Sequence, residues 1–309
     1  MSRSAVLLVL LAGFFFPPIL CAAELCFSGM PSEGDEFEFH YISSDTIHYE
    51  MNVKGLSPAP SRMETLRTTL SGKVVYTRRS TDGTEVEISI LGYVREADGL
   101  RADTRRWTGK KIRVCTESGG KSVCTVIPSE TSDAAGGKDF FTRGLPGTGQ
   151  NTVQMDPRLA ELVVALFGPS ADGSPSSVLG KDGARKPGEE WSVSAEWLCR
   201  AVKNWEIDAR PGQWRGKAVY HGENEFAGLK VHEVSVQLLS DHILGFDCKL
   251  EGVYRFPAKN ASKGPVSILR KISFVVDRAM PEGDPLFAGN TFTVLREHES
   301  EIQLLPKDL

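Results

Sequence analysis

EFEFHYISSDTIHYEMNV, Glu36 to Val53, carries Phe37, Phe39 and Tyr41 before a short polar stretch and Ile47, Tyr49 and Met51 after it, all on one parity. Alternation of this kind marks extended chain with one dry face. Ser43, Ser44 and Asp45 read as a turn, and centring that turn on Ser44 sets Tyr41 against Ile47, Phe39 against Tyr49 and Phe37 against Met51. An even-numbered loop would set Phe39 against Glu50, and register follows the buried face. The stretch therefore predicts a hairpin, strands 36–42 and 46–54, seated in a core. Its wet face follows: His40 stands opposite His48, and Glu38 opposite Glu50. Two imidazoles about 5 Å apart at Cβ, with two carboxylates beside them, suit zinc, copper or iron. The plainer reading is the solvated side of two strands.

The same period continues to Ile127, predicting further strands at 64–78 and 84–95 and a hairpin at 111–127. After a Gly-, Ser- and Thr-rich stretch comes MDPRLAELVVALFG, with Asp156 as N-cap, Pro157 at the first helical position and Gly168-Pro169 as the stop. Leu159, Leu162, Val163, Leu166 and Phe167 form a stripe, and Ala160, Val164 and Ala165 leave little polar face. Such a helix, at 157–167, wants cover on most sides. A second loop-like stretch, GPSADGSPSSVLGKDGARKPG, follows it. Strands resume at Glu190 with WSVSAEWLC, GKAVYHG, LKVHEVSVQLL, HILGFDCKLEGVYRF, VSILRKISFVVDR and TFTVLRE.

The N-terminus reads as an export signal: Arg3, an apolar run from Ala5 to Phe16, Pro17-Pro18, then small residues that suit cleavage after Ala23. Loss of residues 1–23 leaves 286 residues with 35 basic and 40 acidic side chains, a net charge of −5. That balance argues against a nucleic-acid partner. No later stretch reaches membrane-spanning length.

Export permits disulfides. In RVCTESGGKSVCTV a two-residue turn at Gly119-Gly120 places Cys115 opposite Cys124 at bridging distance, a staple worth about 2.7 kcal/mol. Cys199 and Cys248 both lie on apolar parities, and a bridge between them would contribute about 4 kcal/mol. Cys26 has no partner assigned.

Trp191, Trp197, Trp205 and Trp214 fall within 24 residues. The first two point inward by parity, whereas Trp205 and Trp214, in KNWEIDARPGQW, suit exposure and contact with a ligand. Enzyme motifs fail: the spacing from Gly173 to Gly180 is wrong for a phosphate loop, His232-Glu233 lacks a second histidine, and no Gly-x-Ser-x-Gly elbow occurs. No catalytic residue and no cofactor are indicated.

At ARKPGEEWSVSAEW, residues 184–197, the chain resembles a class of uncharacterised secreted bacterial proteins with a Pro-Gly-acid-x-Trp turn after a mid-chain helix, between two β-rich halves. Its architecture is also similar to the half-barrels of periplasmic lipoprotein carriers. Together these imply a mainly β fold of curved antiparallel sheets, a half-barrel or two β-subdomains, around one central buried helix. The expected parts are a signal peptide at 1–23, a β half at 24–150, helix and loops at 151–188 and a β half at 189–309. The expected function is that of an exported, non-enzymatic protein of the periplasm or cell exterior. It binds a lipid or other hydrophobic ligand in a cleft between sheet and helix, with Leu162, Leu166, Trp205 and Trp214 in contact. The alternatives are an interaction module of the envelope with a protein partner, and then a metal protein or enzyme using His40 and His48.

Overall fold

The computed structural model describes residues 31–52, 61–80, 83–117, 122–127, 155–167, 178–179, 185–196, 198–199, 208–241, 243, 245–259, 261, 264–279 and 290–307. The expected signal peptide, Cys26, Trp197 and Trp205 lie outside them.

The long alternating stretches form strands as the sequence predicted. They are β1 (Glu36–Asn52), β2 (Ser61–Ser80), β3 (Gly83–Ala97), β4 (Leu100–Arg101), β5 (Lys111–Glu117) and β6 (Ser122–Ile127), then β7 (Glu190–Ser192), β8 (Trp214–Phe226), β9 (Leu229–Ser240), β10 (Phe246–Pro257), β11 (Ser267–Ala279) and β12 (Thr291–Pro306). All join one antiparallel sheet, in the order β6-β5-β3-β2-β1-β12-β11-β10-β9-β8-β7, with β4 on β3. The sheet is open among the described residues, since β6 and β7 stand at its two ends. The first half of the chain is a meander running outward from the centre and the second a meander running back inward to it, so the first and last strands meet there, paired from Phe37–Pro306 to Asn52–Thr291.

The predicted hairpin at 36–54 is not formed. Glu36–Asn52 is one uninterrupted strand of 17 residues. The reason is lateral: β12 pairs it from Phe37 to Asn52 and β2 from Glu36 to Glu50, so Ser43, Ser44 and Asp45 find ladder partners on both sides. With both edges filled, a turn there would forfeit backbone bonds.

One face of the sheet is dry. A row of directly opposed residues, Tyr93, Leu70, Tyr41, Ile302, Ile268, Tyr254, Val234 and Tyr220, crosses eight strands on that face. All but Ile268 are buried. The row links two apolar clusters. One gathers Phe37, Phe39, Leu70, Ile88 and Ile112 beneath the helix α1 (Pro157–Phe167), and the other gathers Trp214, Leu238, Phe246, Leu250 and Phe256 beneath Val178, Leu179, Ala195 and Leu198.

α1 has the predicted bounds. Asp156 caps it by side chain and main chain, accepting from Arg158 N–H at 3.0 Å and Ala160 N–H at 2.9 Å. It buries Leu159, Val163 and Phe167, spaced four apart, and the Phe167 ring meets Phe39 edge-on at 4.9 Å. The expectation of cover on most sides is corrected: Arg158, Glu161 and Ala165 are exposed, and Leu162 and Leu166 are half-buried on the flank.

WSVSAEWLC also departs from its expected strand. β7 stops at Ser192, Glu196 N–H bonds Ser194 Oγ at 3.3 Å, and Cys199 N–H reaches Ala195 C=O at 3.0 Å, a helical spacing. Ser194 starts this turn as serines do at helix ends, by competing for backbone donors.

Candidate ligand-binding face

The residues expected to hold a metal are not gathered. His40 stands between Gln303 and Ser71, and His48 between Leu295 and Met63. Eight residues of extended chain separate them by about 26 Å, beyond the reach of one ion. Both lie on the outer face, as do Glu38, which pairs with Lys73 at 3.1 Å, and Glu50 opposite Thr293 and Ser61. Among the described residues no group of three or more His, Cys, Asp and Glu is placed to hold a metal.

The cysteine hairpin is shifted by one. Val114 faces Cys124, and Cys115 faces Val123, so the two thiols lie on opposite faces and the predicted cross-strand pair is absent. Apolar Val114 and Ile112 point inward and draw Cys124 and Val126 with them, which overrides the two-residue turn. Cys124 Sγ lies 3.8 Å from Ala160 C=O under α1, and burial pushes its thiol up. Cys248 is buried in the C-terminal cluster, its thiol pushed up to about 12 by burial, and Cys199 packs against the same cluster. Trp214, expected at the surface, is 8% exposed and meets Phe246 edge-on at 6.3 Å.

A different constellation emerges on the inner face, one row below the apolar belt. Successive rows there read Thr68–Ser43–Ser300–Arg270, Leu66–Asp45–His298–Ile272 and Glu64–Ile47–Arg296–Phe274. The polar members occupy positions whose parity elsewhere carries core. Asp45 is buried and accepts two bonds from Arg296, Nε at 2.8 Å and a terminal nitrogen at 2.5 Å. The Arg296 guanidinium also lies 5.9 Å from the Phe274 ring centre. Arg270 runs across Gly252, where a Cβ would meet the Tyr254 ring at 3.3 Å, and its Nε donates to Tyr254 Oη at 3.2 Å. His298 Nδ1 is buried without a hydrogen-bond partner among the described residues, and burial holds its pKa below the ordinary histidine value.

Below this seam the inner face is apolar again but only half-covered: Ile47, Tyr49 and Met51 of β1, Phe292 and Val294 of β12, and Val276 of β11. Tyr49 and Phe292 stack at 5.9 Å. The face thus presents polar, cationic groups between a closed core and an apolar shelf.

Asp45, His298 and the serines are residue types of an acyl-transfer triad, but the geometry is not one. Asp45 commits both oxygens to Arg296, and His298 Nδ1 bonds neither Asp45 nor a serine. The second buried histidine, His232, is structural: its Nδ1 pairs with Tyr220 Oη at 2.9 Å, and burial lowers its pKa. On the opposite face a hollow of about 450 Å³ crosses β8 to β12, floored by Val219, Val253 and Leu269 and edged by alternating Lys217, Glu251, Lys271 and Glu299.

Arg270, Arg296, Asp45 and His298 were missed by sequence reasoning. The signal was present: each is a charged or titratable residue on the dry parity of its strand, beside Ile272, Val294 and Ile47.

No helix among the described residues is long and apolar enough to cross a membrane. No family model matches the chain, and no curated protein matches it. Among solved structures it is similar to lipovitellin, at 8% identity and a TM-score of 0.38, over 88% of this chain and 25% of that one. The chain therefore spans about a quarter of lipovitellin's length. It is also similar to OpdQ of Pseudomonas aeruginosa (7% identity, TM-score 0.22, 87% and 98% of the two chains) and to an outer membrane channel from Pseudomonas putida F1 (6%, 0.19, 90% and 98%). These scores are too low to define a shared fold.

Proposed function

We propose that this is an exported, non-enzymatic protein that binds a lipid or other hydrophobic ligand on the inner face of its sheet. One observation carries the reading. The parity that is fully buried at Phe37, Phe39 and Tyr41 stays half-exposed at Ile47, Tyr49 and Met51, with Phe292 and Val294 alongside. A folded chain gains by covering such surface, at about 25 cal/mol per Å², and an acyl chain laid along the shelf would gain about 0.8 kcal/mol per buried methylene. Leu162 and Leu166, half-buried on α1, pack against the Phe37 and Phe39 cluster at the other end of β1 from this shelf.

The test is titration of delipidated protein with a fluorescent fatty-acid probe. Saturable binding, weakened by Val294→Asp and retained in the outer-face variant Leu305→Ser, is the expected outcome. No uptake by folded wild-type protein refutes the proposal.

A further inference from the structure

Between β4 and β5 the chain makes a basic excursion. Leu100 to Arg113 holds Arg101, Arg105, Arg106, Lys110, Lys111 and Arg113 against Asp103, a net +5 on a chain of net −4. The excursion is built onto the edge of β3: Ala102 N–H donates to Arg95 C=O at 2.8 Å, the Thr104 hydroxyl to Tyr93 C=O, and Gly109 N–H to Ile90 C=O at 2.8 Å. Trp107, 2% exposed, plugs it into the N-terminal cluster, and the Arg106 guanidinium lies 5.1 Å from that ring centre. Arg101, Arg105, Arg106, Lys110 and Lys111 are all exposed. Asp103 reaches Arg105 at 3.7 Å, and no ion pair engages Arg101, Arg106, Lys110 or Lys111 among the described residues. The acids nearby are engaged. Glu85 and Glu87 bridge Arg113 at 3.1 and 2.7 Å, Asp98 accepts from Thr65 N–H at 2.8 Å, and Glu96 stands between Arg101 and Arg67. Asp156, at the start of α1, is offset by Arg158, both acting on Tyr93. With these acids and with Arg67 and Arg95 counted, the rim still carries a net +3.

The same rim exposes apolar side chains. Asp98 and Gly99, both left-handed at φ 50° and 78°, make a two-residue turn that sets Leu100 opposite Ala97, and Leu100 is 77% exposed. Leu91, next to the Ile90 junction, is 56% exposed. Leu100 ends the inner-face row Ala97–Leu66–Asp45, one row from Ile47. Three strand spacings, about 14 Å, therefore separate the rim from the β1 side of the shelf.

From this juxtaposition we infer that the rim docks on an anionic phospholipid surface, its cations at the head groups and Leu100 at the acyl boundary beneath them. Each Lys or Arg held near such a surface adds attraction, and stable binding takes an apolar signal besides the basic one. A soluble polyanion would satisfy the cations and leave Leu100 in water. The inference does not rest on the shelf being filled.

The experiment floats the purified protein with vesicles of phosphatidylcholine, pure or with about 30% phosphatidylglycerol, in about 50 mM NaCl. Binding to the anionic vesicles alone is expected, weakened several-fold at about 500 mM NaCl. Arg105→Gln, Arg106→Gln and Lys110→Gln made together should lose about hundredfold, at about fivefold per cation. Lys230→Gln, Lys249→Gln and Lys259→Gln together, the same charge change at exposed positions elsewhere, should bind as wild type. Leu100→Ser, with every charge kept, should weaken binding by about fivefold or more. If the rim variant fails to fold, the salt series and Leu100→Ser decide. Equal binding to both kinds of vesicle, or none by folded protein, overturns the inference. So does a rim variant that binds as tightly as wild type, or a control variant that loses as much as the rim variant. Loss in the rim variant with full binding by Leu100→Ser overturns the membrane and assigns the rim to a soluble polyanion.

Discussion

Arg296→Met and Asp45→Asn, made singly and together, measure how much the inner-face ion pair contributes. The Asp45 side chain is 10% exposed and that of Arg296 31%, joined by bonds of 2.8 and 2.5 Å. Two unit charges about 4 Å apart attract by about 4 kcal/mol at an effective dielectric of 20, and desolvation of the carboxylate opposes part of this. Removing one partner of a buried pair costs about 3–5 kcal/mol because the other is stranded. Arg296→Met keeps an apolar stem near Phe274 but strands Asp45, so about 3 kcal/mol is expected. Asp45→Asn leaves a guanidinium that can turn toward water, and about 1.5 kcal/mol is expected. The double variant should be more stable than the sum predicts, by about 1–2 kcal/mol. Urea denaturation at constant m supplies the numbers. A coupling below about 0.5 kcal/mol, the level at which distant sites simply add, would refute the claim that the pair is desolvated and cooperative.

Gly72→Ala places a Cβ 2.2 Å from Ser89 C=O and 2.9 Å from the Phe39 ring, so a loss of about 3 kcal/mol or more is expected in the same assay. Phe167→Ala empties a site that is 3% exposed against Phe39, and should cost about 3–5 kcal/mol, whereas a loss under 1 kcal/mol would show that α1 is not seated on the sheet. His232 and His298 are both held below their ordinary pKa by burial, opposed by Glu223 and the Ala258 backbone in the first case, and in the second opposed by Asp45 but reinforced by the Arg296 and Arg270 guanidiniums. The unfolded chain then binds more protons than the folded one as pH falls through about 6.5, so stability drops on acidification, by at most about 1.4 kcal/mol per pH unit for each histidine, until the folded-state values are passed. Urea midpoints between pH 7.5 and 5 check this, and a flat profile would contradict the burial of both rings.

Parity was legible in the sequence and connectivity was not. Phe37, Phe39, Tyr41, Ile47, Tyr49 and Met51 share one face whether residues 36–52 fold back at Ser44 or run straight, because an odd loop and a straight strand preserve the same alternation. What decides between them is the presence of β12 on the other side, 250 residues away in sequence, which no local pattern reports. α1 was read to the residue because its signals, Asp156, Pro157 and Gly168, are local. Cys115 and Cys124 were misplaced by one for the opposite reason: the Gly119-Gly120 signal is local, and the pull of Ile112 and Val114 into the core is tertiary. The polar seam went unread because Asp45 looked like turn chemistry, and its meaning appears only once Arg296 and Arg270 stand in the neighbouring rows.

The β1–β12 ladder gives the chain an unusual order of assembly. Neighbouring strands within each meander are close in sequence and can zip early, but the ladder at the sheet's centre joins residues such as Asp45 and Arg296, 251 positions apart. Contacts of that separation carry the largest loop-closure entropy and form late. Until the final strand is delivered, β1 and β11 each present a bare edge of backbone donors and acceptors next to an uncovered apolar face. A nascent or truncated chain lacking residues 291–306 is therefore two half-sheets with open edges, the state most exposed to intermolecular pairing.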